Sequence, residues 1–280
     1  MINELRELHR YRYLLWQLVL RDIKVRYKNS VLGFFWSLAN PLLQVATITI
    51  VIKYIMGLTV PNYSAYLLAG YLPWMFFQAA LLDSSQVVLS HRDLLRKVYF
   101  PREVLPISVV GANLVHYLLS LVILFAYLLF FRLFLHGAPL TAKVMLLPVL
   151  MAFQCALVMG LAFYISCLNA FYEDTKYVLT ALLNVFFYLT PVMYPAELVH
   201  DKIHPLLYKL YLLLPMNALT DAYRKTLLPS VGSLSIRGNE VHTLPLDYGI
   251  LAAAGGLCLL IAVTGYRYFN ARKWVFAERV

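Results

Sequence analysis

Six apolar stretches alternate with short polar connections along the chain, at residues 31–52, 64–89, 104–134, 145–168, 177–194 and 248–269. A helix needs about 20 apolar residues to cross about 30 Å of hydrocarbon, so the pattern predicts six membrane-spanning helices in an all-α integral membrane protein. The polar positions between them are too few to build a second core. A single membrane domain over 31–270, preceded by 1–30 and followed by a tail at 271–280, accounts for the chain. One connection breaks the rhythm. Between 195 and 247 lies an apolar run, 206–214, too short to span, and Pro205, Pro215 and Pro229 cut this region into short helices. Over 196–229 this predicts re-entrant outer helices between spans five and six, because backbone groups freed at membrane depth must be covered by protein or face water. An amphipathic pair lying on the surface is the alternative. Residues 232–240 then read as an exposed loop.

Composition sharpens this picture. The chain is 61% hydrophobic and 14% charged with a mean hydropathy of +0.70, whereas soluble domains carry about 25% charged residues. These values exclude a disordered chain and a disulfide scaffold, and, despite a net charge of +10, a nucleic-acid-binding domain. Cys155, Cys167 and Cys258 all fall within apolar stretches and read as small hydrophobes. The charge is informative by position. Arg6, Arg10, Arg12, Arg21, Lys24, Arg26 and Lys28 precede the first span, Arg92, Arg96, Lys97 and Arg102 follow the second, and Arg267, Arg272, Lys273 and Arg279 end the chain. The short connections of the other side offer only Lys53, Arg132 and Lys143. Cytoplasmic segments retain lysine and arginine, so both termini are expected in the cytoplasm, as an even number of crossings requires. No small-residue cleavage site follows the basic leader, which argues against a removed signal peptide.

Two basic segments carry candidate mechanism. Residues 4–28 repeat Leu5, Leu8, Tyr11, Leu15 and Leu18 at helical spacing, which predicts an amphipathic interface helix. Arg21, Lys24 and Lys28 share one face of it, suited to anionic membrane lipids or to a phosphate or pyrophosphate ligand. The segment 90–101 has helix-start chemistry at Ser90, Asp93 in the capping-box position and a stop at Pro101. It predicts a short docking helix with Leu94, Leu95 and Val98 on one side, Asp93 paired with Lys97, and Arg92 and Arg96 left for a partner. A surface-lying linker is the alternative.

Inside the spans, Ser37, Asn40, Gln44 and Thr47, and again Thr180, Asn184 and Tyr188, form polar stripes that serve either interhelical hydrogen bonds or a polar path. Asn113 and His116 read as bundle contacts, and Asp83 is the one carboxylate well inside a span. The 21 Tyr, 16 Phe and 4 Trp supply interfacial belts, as at Tyr63, Tyr66, Tyr71, Trp74, Tyr194, Tyr208 and Tyr211, or flat faces along which a sugar polymer slides. Ala252, Gly255 and Gly256 permit close helix packing and hint at a dimer. No nucleotide-binding loop, zinc-protease helix or nucleophile elbow occurs. No catalytic or metal residue is assigned, and any ATP hydrolysis belongs to another chain. The competing enzyme reading, a membrane glycosyl- or acyltransferase on polyprenyl-linked sugars, would use Glu173 and Asp174, the one adjacent acidic pair at a membrane edge.

Four stretches carry a family resemblance: Arg26-Tyr27-Lys28-Asn29-Ser30-Val31-Leu32-Gly33-Phe34-Phe35-Trp36 with Pro41 following, Leu94-Leu95-Arg96-Lys97-Val98-Tyr99-Phe100-Pro101, Tyr188-Leu189-Thr190-Pro191-Val192-Met193-Tyr194, and Leu214-Pro215-Met216-Asn217. Their order resembles the membrane subunit of bacterial ATP-binding-cassette exporters of lipid-linked polysaccharide, the permeases of O-antigen, capsule and teichoic acid export. The resemblance implies a homodimer in the bacterial cytoplasmic membrane with two ATPase subunits. Those partners carry ATP and magnesium, and no cofactor sits on this chain. It implies a coupling helix to the ATPase at 91–100 (His91, Arg92, Asp93, Leu94, Leu95, Arg96, Lys97, Val98). It also places Arg21, Lys24, Arg26 and Lys28 where a polyprenyl-pyrophosphate headgroup comes in, with Trp36, Tyr71, Trp74, Phe77 and Tyr188 along the glycan path. O-antigen is the favoured cargo, teichoic acid or capsule the alternative. One position departs: relatives often carry Phe-Arg-Asp after the fourth span, where this chain has Phe171-Tyr172-Glu173-Asp174.

Overall fold

The computed structural model describes residues 9–27, 34–55, 57–59, 62–134, 142–200, 202–228, 233–236 and 239–275. Its helices are α1 (Arg12–Tyr27), α2 (Phe34–Ile50), α3 (Tyr63–Ser90), α4 (Arg92–Lys97), α5 (Val104–Phe134), α6 (Leu147–Phe171), α7 (Thr175–Leu189), α8 (Glu197–His200), α9 (Pro205–Leu213), α10 (Pro215–Leu227) and α11 (Tyr248–Arg272). Among the described residues, four helical segments are long and apolar enough to cross a membrane: Tyr63–Ser90, Val104–Phe130, Lys143–Phe171 and Tyr248–Arg272. The other two expected spans are shorter. The 17-residue α2 gains length from a π-helical turn at Val51–Ile55, while α7, at 15 residues, rises only about 22 Å.

α3 is apolar all round, as a central helix must be. It packs against α2, α5, α6, α7 and α10, and 72% of its apolar window is buried. Pro73 lies in its interior, and the Pro73 carbonyl accepts from Gln154 Nε2 of α6 at 2.7 Å. Gln154 Oε1 in turn accepts from the Tyr223 hydroxyl of α10 at 2.7 Å. A fully buried amide is thereby satisfied from both sides and stitches three helices together. On the far side of α6, the backbones of α6 and α11 touch. A Cβ on Gly265 would stand 2.2 Å from the Gly160 carbonyl oxygen, and one on Gly160 2.5 Å from that of Ile261. Only glycine fits either position. Gly255 is similarly occupied within the chain, since its Cβ would meet the Phe153 ring at 2.6 Å. Of the small residues that hinted at a dimer, Gly255 is thus used within the chain, while Ala252 and Gly256 remain exposed.

Two further expectations change. Residues 232–240 do not form a plain loop: β2 (Ser233–Ile236) pairs antiparallel with β3 (Asn239–His242) and with β1 (Leu58–Thr59), so the fold includes a small three-stranded sheet. Leu58 opposes Ile236 and Ser233 opposes His242. The N-terminal helix packs its expected apolar face inward, with Tyr11, Leu15 and Leu18 in the cluster of Val88 and Phe100 and Val19 against Gly111 of α5, but its other side carries apolar residues as well, Tyr13, Trp16 and Val25, all exposed.

Candidate functional site

α3 carries the chain from one end of the bundle to the other. The basic end gathers α1, α4, the α6–α7 connection and the end of α11. There a cleft of about 620 Å³ opens between α1, α3 and α5, lined among others by Arg21, Arg26, Asp83, His91 and Asn113. Arg26 donates to Asp83 Oδ2 at 2.5 Å and to Asn113 Oδ1 at 3.2 Å, and Asn113 Nδ2 donates to the same Asp83 oxygen at 2.9 Å. Arg21 donates to Asp22 Oδ1 at 2.9 Å and also to His91 Nε2. His91 can accept there because its Nδ1–H is directed to the Val87 carbonyl, 2.8 Å away. This holds the neutral tautomer. Burial, reinforced by the Arg21 charge, pushes the His91 pKa below its ordinary value.

The structure thus brings Arg21 and Arg26 of the proposed headgroup set into one cleft. Lys24 is exposed and does not line it, and Lys28 lies outside the described residues. The cleft is also less cationic than expected. Asp22 and Asp83 each meet one of its two arginines.

α4 is shorter than the expected helix at 91–100. Ser90 is the last residue of α3, and its hydroxyl donates to the Val87 carbonyl at 3.1 Å rather than capping α4. Leu94 and Leu95 turn inward, packing partly buried against the cluster of Leu18, Val88 and Phe100. Val98 leaves their side: its backbone is extended and its side chain is 52% exposed. Arg92 is committed within the chain, donating to Glu173 Oε1 at 3.2 Å. The acid that departs from the family pattern is therefore the partner of α4. The outward face of α4 consists of Asp93, Arg96 and Lys97. A second cleft of about 500 Å³ adjoins it, lined by the segment 95–103 with Asn270, Lys273 and Trp274.

At the opposite end, α7 runs out into the turn at residues 190–194. Arg224 of α10 is 3% exposed and reaches this turn with its whole guanidinium. It donates to the carbonyls of Pro191 and Val192, to that of Tyr194 at 3.1 Å, and to the Tyr66 carbonyl and hydroxyl at 3.3 and 3.0 Å. The Tyr66 ring lies 4.0 Å from its Cζ, a cation–π contact. Beside it, Lys225 bridges Asp221 at 2.8 Å and Glu197 at 3.2 Å.

A family model described as ABC-2 type transporter matches residues 13–228. The chain belongs to the ABC-2 type transporter family. It is similar to an O-antigen export system permease protein RfbA of Myxococcus xanthus, 31% identical over 280 residues and the full length of both chains. It is also similar to two proteins of that name from Klebsiella pneumoniae. One is 26% identical over 260 residues, the other 29% over 261, each covering 92% of this chain and 91% of the relative. The family match ends at residue 228, so β2, β3 and α11 lie beyond it.

Within this ABC-2 permease the aromatic residues divide unexpectedly. Tyr71, Trp74 and Phe77 are core: Trp74 is 1% exposed, with Phe77 and Phe187 at ring distances of 5.5 and 5.7 Å. Rings so enclosed present no face to a polymer within this chain, which corrects their assignment to the glycan path. Tyr188 is 68% exposed, and the Trp36 side chain lies outside what the structure describes. The arginine at 224 was missed from sequence. Its signal was an ionisable run, Asp221 to Lys225, inside a segment predicted to re-enter the membrane, where charge is retained for a reason.

Proposed function

We propose that this chain is the permease half of an ATP-driven exporter that moves polyprenyl-pyrophosphate-linked polysaccharide, O-antigen in type, outward across the bacterial cytoplasmic membrane. The observation that carries the reading is full-length similarity to O-antigen export permeases combined with an α4 that presents Arg96 and Lys97 at the basic end. In this proposal α2 and α7 complete six spans, the basic end faces the cytoplasm, and a second copy with two ATPase chains completes the machine. Arg21 and Arg26 receive the pyrophosphate by exchanging Asp22 and Asp83 for the ligand.

The polymer path follows the exposed flank of α7, with Tyr177, Val178, Leu182, Phe186 and Tyr188. The transferase alternative loses its candidate acids. Glu173 and Asp174 are solvent-exposed, and Glu173 is paired with Arg92, whereas a general acid is tuned toward the operating pH by burial and neighbours.

The test is co-expression with the ATPase encoded beside this chain, followed by mass determination and ATP hydrolysis assay. Because Leu94 packs inward, the informative changes are at the outward positions, Lys97→Glu combined with Val98→Asp. A two-plus-two complex that dissociates on this change, with the permease still folded, is the expected result. A permease that binds no ATPase under any condition would sink the reading.

A further inference from the structure

We infer that Arg224 is the positioning residue that makes the far end of α7 and the short helices α9 and α10 move as one body, with Gly70 of α3 as the seat its guanidinium requires. This rests on the exporter reading and adds the joint through which motion reaches the far end of the bundle.

The last turn of a helix leaves its carbonyls without partners inside the helix. From Tyr188 to Tyr194 each carbonyl has found a donor. The Tyr194 hydroxyl lies 3.0 Å from the Tyr188 carbonyl and 3.1 Å from that of Leu189. The Tyr211 hydroxyl of α9 also donates to Leu189, at 3.0 Å, and the Val192 amide takes Thr190 at 2.6 Å. Tyr63 donates to Met193 at 2.6 Å. The remaining three, Pro191, Val192 and Tyr194, all belong to Arg224.

A planar guanidinium with five N–H groups can serve such a fan, and an ammonium cannot. Its charge also sits at the negative end of the α7 dipole. The dependence is mutual. A cation this buried is tolerated only while its donors are satisfied, and the carbonyls keep their fan only while the cation holds them. The end of α7 and α10 are therefore not free to separate. The other end of α7 starts at Thr175, two residues after Glu173, which pairs with Arg92 of α4. A push on α4 has a path along α7 that arrives at Arg224.

Gly70 supplies an independent handle. A Cβ there would stand 2.8 Å from a terminal nitrogen of Arg224, 2.9 Å from Nε and 3.0 Å from Cζ. Gly70→Ala thus displaces the guanidinium without altering any charge.

The test uses the full exporter, this chain with its ATPase, in cells lacking their own copy, and measures surface polysaccharide, complex abundance and ATP hydrolysis. Arg224→Met is expected to lower export about tenfold or more while assembly and ATP hydrolysis persist, with Arg224→Lys between the two. Loss of a merely structural residue would lower all three readouts together. Gly70→Ala is expected to reproduce the uncoupling, and the double variant Gly70→Ala, Arg224→Met to be no worse than Arg224→Met alone.

Export at the unaltered level in Arg224→Met, or losses that multiply in the double variant, would overturn the inference. Should Arg224→Met fail to accumulate, Gly70→Ala decides by itself: an assembled, hydrolysing complex with reduced export supports the joint, and normal export refutes it. An unaltered chain that neither exports nor assembles with the ATPase overturns the exporter reading and this inference together.

Discussion

The two ends of the bundle use charge in opposite ways. At the basic end the ion pairs beside α1 and α4 are open to solvent: the side chains of Arg26 and Asp83 are 37% and 41% exposed, those of Arg92 and Glu173 44% and 74%, while Lys273 at the end of α11 pairs with a buried Glu103. Two clefts lie between them. At the opposite end the charges are enclosed, with Glu197, Asp221 and Arg224 all buried and their contacts drawn from within the chain. Exposed pairs exchange partners at little cost, whereas breaking a buried one leaves an uncompensated charge. The basic end is built to be completed by other molecules. The far end is already complete and can only move as a unit.

The largest effect expected from this contrast is at Lys225. Replacing it with Met leaves Glu197 and Asp221 close together without their shared cation, and should cost about 3–5 kcal/mol. Thermal unfolding of the purified protein in detergent would report this as a marked drop in Tm. A change within the error of measurement would mean the far end is wetter than its geometry implies.

A smaller effect follows from His91. Its pKa is lowered, mainly by burial and also by Arg21, while Asp22 acts in the opposite sense. The folded state therefore favours the neutral ring. The contribution of the Arg21 contact is fully present above the ordinary histidine value of about 6.5 and is lost as the pH falls below it. Hydrogen exchange of residues 12–27, corrected for intrinsic rates, should show weakened protection of α1 as the pH is lowered from about 7.5 to about 5. His91→Asn should flatten that dependence. Protection that rises on acidification would contradict the tautomer assigned here.

The smallest effect belongs to the Arg92–Glu173 pair, where a double-mutant cycle should return a coupling below about 1 kcal/mol. A coupling several times larger would mean that the basic end is as tightly built as the far one.

Much of the framework was legible residue by residue. The stretch 104–134 reads as a helix and is one, Val104–Phe134, because a long apolar run has no other way to satisfy its backbone in lipid. Pro205 and Pro215 each start a helix, α9 and α10, because proline suits the first turn. Leu94 and Leu95 were visible as an apolar pair, but not whether they faced a partner or their own core. Trp74 resembled an interfacial belt residue, since ring chemistry does not distinguish a belt from an interior. β1 was hidden because Leu58 and Thr59 pair with β2, a partner some 175 residues away in the sequence.

What the sequence alone determined is what depends on local composition. It established a membrane solvent, the apolar helices within it, the sign of charge that marks one end, and the breaks at proline. Tertiary structure decided which charges are spent and which remain available. Arg21 and Arg26 stand in a cleft facing their own acids, Arg92 is taken by Glu173, and Arg224 is consumed by a fan of carbonyls. A side chain's identity sets what it can donate or accept. Its function depends on which groups packing brings within about 3 Å, and those come from segments far apart in the chain.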